Sequence, residues 1–252
     1  MASYCQLCLR PRPLCRSHAL PNSLFAYIAR QNNGTGIAIV DDEHTHHTYT
    51  SDTWHTPLLC SECERDLNER YDAYGMSVFR GHSGAAIKSH TGITLTHLDG
   101  RRLRRLFLAI VWRMSASTHE SYDNVQLPKA MEEELRLALL HHDHIPASRF
   151  QVSLHRMNDP SSAFTNEDLR SMVASPFMRR HGNSASVCYA FIGFFVEVFL
   201  PGTPKVALRR MPLLKDGLVH HAPYLDVLAI PEFMAIFVRA VRKFREGKSK
   251  VT

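Results

Sequence analysis

The sequence predicts an α+β protein: an N-terminal module stapled by metal, then helices, then a small antiparallel sheet. Three observations carry that expectation. Two short cysteine pairs, Cys5-Gln6-Leu7-Cys8 and Cys60-Ser61-Glu62-Cys63, sit far apart near the N-terminus. Apolar residues recur at helical spacing over 101–118 and again over 129–141. From about residue 149 the period drops to two, as in half-buried strands.

Composition narrows the class. A hydrophobic fraction of 44% against 21% charged residues is enough apolar material for a real core and argues against disorder. The net charge of +6 and pI near 9.1 permit a polyanionic partner without demanding one. Sixteen histidines raise the charge further as the pH falls. Met1–Arg10 carries polar and cysteine residues where a signal peptide needs an apolar run. Tyr189–Leu200 is too short to span a bilayer and is interrupted by Glu197. The expectation is therefore a soluble cytoplasmic protein with no membrane partner. Phosphate-loop, dinucleotide-binding and Gly-x-Ser-x-Gly motifs are missing from the sequence. With no Pro/Gly/Ser linker, residues 1–75 are expected to form the metal module and 76–252 an α+β region packed against it.

The cysteine pairs carry the firmest chemistry. Each C-x-x-C turn sets two sulfurs on one side of a tight loop, and two such loops complete a tetrahedron. Cys5, Cys8, Cys60 and Cys63 are thus read as ligands of a structural Zn2+. A set of free or redox-active thiols is the alternative, and it leaves the matched spacing unexplained. Cys15 and Cys188 are left over, which argues against a disulfide framework. Glu64–Tyr71 reads as the start of a helix. A second knuckle feeding a helix N-terminus is how a treble-clef finger ends, and the helix dipole there favours thiolates.

The remaining elements follow in order. Ser23–Arg30 is read as a short amphipathic helix, 32–36 as a turn, Ile37–Val40 as a strand and 41–53 as a polar loop. So long an excursion between knuckles is tolerable, because loop-closure cost grows slowly with length. Residues 71–100 read as loops around short elements, with Asp99 capping the next helix. In that helix Leu103, Leu106, Phe107, Ile110, Val111 and Met114 form one stripe. Arg101, Arg102, Arg104 and Arg105 open it, either as a phosphate-binding patch or as a solvated face. Four cations oppose the dipole there, which calls for carboxylate partners. The helix over 129–141 ends in His141-His142-Asp143-His144, a polar terminus or, alternatively, a metal-binding cluster, and Pro146 stops it. Phe150–Leu154 alternates as a strand, and Asn166–Ala174 reads as a helix. Val187–Leu200 is one strand bulged at Gly193 or two short ones, with Cys188 as inert core. Lys205–Arg209 reads as another strand, and Pro231 starts a helix over Glu232–Glu246.

The order Cys-x-x-Cys, then Ser17-His18-Ala19-Leu20-Pro21, then Leu58-Leu59-Cys60-x-x-Cys63-Glu64 resembles HNH-type, or ββα-metal, nucleases over about residues 5–70. That resemblance implies a structural zinc and a separate Mg2+ or Mn2+ for cleavage. It implies His18 as the general base toward water, His55 near the place of the residue that orients it, and Glu64 as a ligand of the catalytic metal. Ser17 stands where family members carry an acidic residue or histidine that binds that metal. The chain is also similar to a group of uncharacterised bacterial proteins that share this series and a downstream Trp-Arg-x-Ser helix end, matched by Trp112-Arg113-Met114-Ser115. That likeness implies a role in defence against phage. The function expected is therefore metal-dependent cleavage of nucleic acid. The alternative is a non-catalytic zinc-stapled module that binds nucleic acid or a protein partner. Trp112 is expected to be buried, with Arg113 paired to Glu64 or Glu69, or else facing the site near His18 to contact phosphate.

Overall fold

A computed structural model describes residues 3–31, 37–39 and 54–235. The expected turn at 32–36, the expected polar loop at 41–53, and most of the expected C-terminal helix and tail lie outside the described residues.

The chain is mixed α+β. Strand β1 (Leu14–His18) leads into helix α1 (Asn22–Gln31), and β2 (Ile37–Ile39) follows. Strand β3 (His55–Cys60) pairs antiparallel with β1, setting His18 opposite His55. It runs directly into α2 (Ser61–Leu67), a π turn (Asn68–Asp72) and α3 (Ala73–Arg80). These three segments form one continuous helical stretch, and the boundary expected at residue 75 falls within α3. Gly81, in the left-handed region at φ 80°, ends it.

Helix α4 (Gly100–Ala116) is the centre of the molecule. The sequence suggests one apolar stripe, but residues Leu106 to Met114 are all buried. A helix apolar on every side must be enclosed, and α3, α5 (Lys129–His141) and the main sheet enclose this one. Asp99 caps it as expected, accepting from the Arg102 amide at 2.9 Å. Gly75 lets α3 approach, since a Cβ there would lie 2.1 Å from Leu106 Cδ2.

The four arginines that open α4 find partners, two of them the carboxylate that their opposition to the dipole calls for. Arg101 and Arg104 both pair with Asp216, and Arg104 also donates to Ile145 O. Arg102 donates to Glu69 O and Arg70 O and stacks on Tyr74. Arg105 ties Tyr71 to the end of α5. That end is the polar terminus: His142 closes α5 in the left-handed region, at φ 60°.

The sheet corrects the expected one. Among the described residues it has seven strands and is mixed, not small and antiparallel. Their order is β4 (Ala85–Lys88), β5 (Gly92–Thr96), β11 (His220–Asp226), β6 (Gln151–Asn158), β10 (Phe194–Phe199), β9 (Ser184–Phe191) and β8 (Phe177–His181). The β4–β5 hairpin hides in a stretch that reads as loop because glycines flank it. Strand β11 joins the halves by pairing antiparallel with β5 up to Pro223 and parallel with β6 from Tyr224. Proline at the changeover costs no ladder bond, and it also masks the strand from a sequence reading.

Three local expectations fail for identifiable reasons. Gly193 is not a bulge: Ile192 (φ 47°) and Gly193 (φ 75°) form the two-residue turn of the β9–β10 hairpin. The helix over 166–174 stops at Ser171 (α6, Asn166–Ser171), because Met172–Ala174 (β7) pairs parallel with β2. Lys205–Leu208 is a helical turn (α7), not a strand; Val206 is 74% exposed, so no buried face holds the segment extended.

One buried cluster runs from Cys5 to Ala222 and joins the cysteine region to the sheet. A smaller one, including Met157, Phe195 and Phe233, covers the other face of the sheet. His220 is buried beside the first. Burial pushes its imidazole down to about 4, and His155 and His221 add to the effect. The unfolded chain therefore takes up this proton first as the pH falls. The neutral ring's contribution, about 3 kcal/mol at 1.36 kcal/mol per pKa unit, is present above about pH 6.5 and lost on acidification through about pH 4. Urea unfolding across that window is expected to show a His220→Leu variant less pH-sensitive than the parent. Parallel curves would contradict it.

Candidate functional site

The first knuckle is a tight turn. Leu9 N donates to Cys5 O at 2.8 Å, Cys5 N to Arg10 O at 3.1 Å, and a bridge between Tyr4 and Pro11 closes the base. Leu9 sits in the left-handed region at φ 55°. Gln6 N donates to Leu58 O at 3.0 Å and ties the turn to β3. Arg136 of α5 reaches across to donate to Leu7 O at 2.6 Å. The second knuckle is the start of α2, where Cys60 is the cap residue and Cys63 lies in the first turn.

These two turns bring the four sulfurs of Cys5, Cys8, Cys60 and Cys63 within 4.8 Å of one another. Cys8 Sγ and Cys60 Sγ are 4.0 Å apart. A tetrahedron with Zn–S bonds of about 2.3 Å needs sulfurs about 3.8 Å apart. None of the six cysteines is in a disulfide. Burial, together with the hydrogen bonds and charge of the other three sulfurs, pushes the Cys63 thiol far above its usual range. The cluster therefore has the donor set and spacing to hold a metal. Among the described residues it is the sole group of three or more side chains able to do so, and His141–His144 form no such group.

Beside this cluster lies a cleft of about 580 Å³. His18 and Cys15 enter it from β1, and Asn22, Ser23 and Ala26 from α1. Ser61, Glu64, Arg65, Asn68 and Asp72 line the opposite wall at helical spacing, and Arg113 of α4 closes the floor. His18 is 9% exposed. Its ring lies 5.8 Å from that of His55 and 6.0 Å from that of Phe25. His55 flanks His18 on the paired strand rather than lining the cleft, and Arg16 Nη2 donates to its Nδ1 at 3.4 Å.

Glu64 is half-buried, and its Oε2 is a buried acceptor with no hydrogen-bond partner. Burial pushes its carboxyl above the usual range, against the Ser17 hydroxyl and Arg113, which hold it down. The Ser17 hydroxyl also accepts from Leu59 N at 3.0 Å. Ser17 thus tends the strand and the carboxylate.

Arg113 pairs with neither Glu64 nor Glu69. Both of its terminal nitrogens donate to Asp72, each at 2.7 Å, in a buried bidentate pair. Asp72 escapes a sequence reading, although a signal exists. An arginine inside the apolar run Leu106–Met114 must find a carboxylate, and Asp72 lies two turns beyond Glu64 on the same stripe. Trp112 is buried, as expected. Cys188 is buried in β9 with its thiol pushed well up, and Cys15 stays outside the sulfur cluster. Among the described residues no helix is long and apolar enough to cross a membrane. No family model, curated protein or solved structure matches this chain.

Proposed function

We propose that the chain is a zinc-stapled phosphodiesterase of the HNH type that cleaves nucleic acid, with His18 as general base and Glu64 as the carboxylate that holds a divalent cation. One observation carries the reading. His18 and Glu64, distant in sequence, face the same cleft, on the strand and helix that meet at the four-cysteine cluster. Zinc is the metal that suits four thiolates at this spacing, and its role is to fix β3 and α2 relative to the first knuckle.

The chemistry follows from these groups. Neutral His18 accepts a proton from water, whose oxygen attacks phosphorus. The P–O ester bond breaks, and the leaving oxygen takes a proton from solvent. The orphaned Oε2 of Glu64 fits a cation ligand. A bound Mg2+ or Mn2+ supplies charge stabilisation at the reacting phosphate. His55 packs beside His18 and positions its ring.

A second reading, a non-catalytic binding module, is favoured by a different observation. Asp72 is consumed by Arg113 and Ser17 by Leu59, leaving Glu64 the cleft's lone free carboxylate. The test is cleavage of labelled DNA and RNA by zinc-loaded protein with Mg2+ or Mn2+. His18→Ala is expected to lower the rate about 10²–10⁴-fold at unchanged fold. No metal-dependent cleavage by the unsubstituted protein would sink the first reading in favour of the second.

A further inference from the structure

We infer that a half-buried cluster of arginines around Tyr27 is a seat for phosphate groups, and that it holds the strand running out of the His18 cleft; the second half rests on the nuclease reading. Three arginines from separate elements converge there. Arg156 of β6 is 3% exposed, donates to Ile192 O at 3.0 Å and lies 5.3 Å over the Phe194 ring. Arg170 of α6 donates to Tyr27 Oη at 3.1 Å and to Phe79 O at 3.2 Å. Arg80, ending α3, donates to Ser23 O. The guanidiniums of Arg80 and Arg170 lie 5.3 and 5.8 Å from the centre of the Tyr27 ring.

What distinguishes this cluster is its lack of counter-charge. The buried Arg104 and Arg113 each have a carboxylate, Asp216 and Asp72. Arg80, Arg156 and Arg170 have no carboxylate partner among the described residues, only carbonyls, a phenol and aromatic faces. Arg80 Nε is buried with no hydrogen-bond partner at all. Burial and the charge of Arg170 hold the Arg156 guanidinium down to about 10, and burial, then Arg30 on the last turn of α1, depresses Arg80. Buried cations of like sign and without counter-ions are costly. A phosphate removes that cost, and guanidinium forks match its oxygens in pairs. The fold also makes room for the cluster. A Cβ on Gly193 would lie 2.1 Å from Arg156 Nη1 and 3.0 Å from Arg170 Cγ.

The cluster adjoins the cleft through α1. Ser23 lines the cleft and also takes the hydrogen bond from Arg80. Between Ser23 and Tyr27 the helix rises about 6 Å, so the cluster lies about one helical turn beyond the cleft. A polynucleotide with its scissile phosphate at His18 that leaves the cleft along α1 meets the arginines with a phosphate further along the strand.

The test uses full-length, zinc-loaded protein carrying His18→Ala, so that binding is read without cleavage. Fluorescence anisotropy with a labelled single-stranded oligonucleotide is followed against salt. Arg80→Gln with Arg170→Gln is expected to weaken binding at least about tenfold. The slope of log K against log salt should fall by about 1.4, for two phosphate contacts on a single strand. Arg30→Gln, exposed and unable to disturb the core, should weaken it in the same direction and covers the case in which the double variant misfolds. Unchanged affinity and slope in both would overturn the inference. In parallel, inorganic phosphate should raise the thermal midpoint of the unsubstituted protein and not of the double variant. If phosphate does so while oligonucleotide binding ignores the substitutions, the link to the strand is wrong. Arginine-dependent binding without any cleavage by the unsubstituted protein would defeat the nuclease reading and leave the seat standing. Cleavage with unaltered KM and salt dependence in the arginine variants would do the reverse.

Discussion

Cys60→Ser is expected to yield a protein that retains no zinc and does not fold stably. The reason is where the cluster sits. Leu7, Trp54, Leu58, Leu59 and Leu67, all within a few residues of the four cysteines in sequence, are each at most 2% exposed and belong to the main core. The knuckles are therefore a wall of the core, and releasing them opens it to water. A structural zinc site is worth about 10–16 kcal/mol in small fingers, against a total stability of about 5–15 kcal/mol for a typical domain. Losing one of four thiolates removes much of that sum and leaves three sulfurs, two of them buried, with no shared cation. Cys15→Ser is the control, since Cys15 lies outside the cluster. It should keep one zinc per chain by mass spectrometry and a near-parental thermal midpoint. A folded, zinc-free parent protein would end the claim.

The sequence reveals most where a motif is local. The knuckle spacing announces the sulfur cluster without any knowledge of the fold, because four cysteines in two pairs can converge in few ways. Helix α5 is legible to the residue, since its stripe, acidic first turn and histidine end agree. The sheet is less legible because its pairings are long-range. Strand β11 contains Pro223 and two histidines, and only its partners β5 and β6 show why it is extended. The arginines of α4 mislead for the same reason: Asp216, which neutralises two of them, is remote in sequence.

The candidate site divides in the same way. His18, His55 and Glu64 can be named from the motif, and the fold brings two of them to one cleft with the third alongside. Asp72 and the arginines around Tyr27 cannot, since each depends on elements far apart in the chain. Arg156 and Arg170 look like an ordinary strand residue and an ordinary helix residue until the Ile192-Gly193 turn folds over them.

The other large effect expected is at the buried pair between Asp72 and Arg113. Arg113 is 1% exposed and Asp72 4%, and both terminal nitrogens of the arginine are spent on that one carboxylate. Arg113→Met leaves Asp72 charged and unpartnered at the floor of the cleft, while Asp72→Leu strands the guanidinium within the core. Each should cost about 3–5 kcal/mol in urea unfolding, the usual result of uncompensating a buried charge. The double variant removes both desolvation penalties and should be more stable than either single, with a coupling energy above about 1 kcal/mol. Additive losses would mean that the pair contributes only as packing. The double variant also carries information that the singles do not. It keeps the bulk at the floor and deletes the charges, so a folded double variant that still binds oligonucleotide assigns recognition to the arginines around Tyr27. One that folds but loses binding makes Arg113 itself the phosphate contact. The π turn at Asn68–Asp72 takes up the residue by which an eight-residue spacing overshoots two α-helical turns, so Asp72 stays on the cleft wall that carries Glu64 while it meets Arg113 of α4. Two carboxylates on one helical stripe thus end in different environments, one paired in the core and one with an oxygen left free for a ligand.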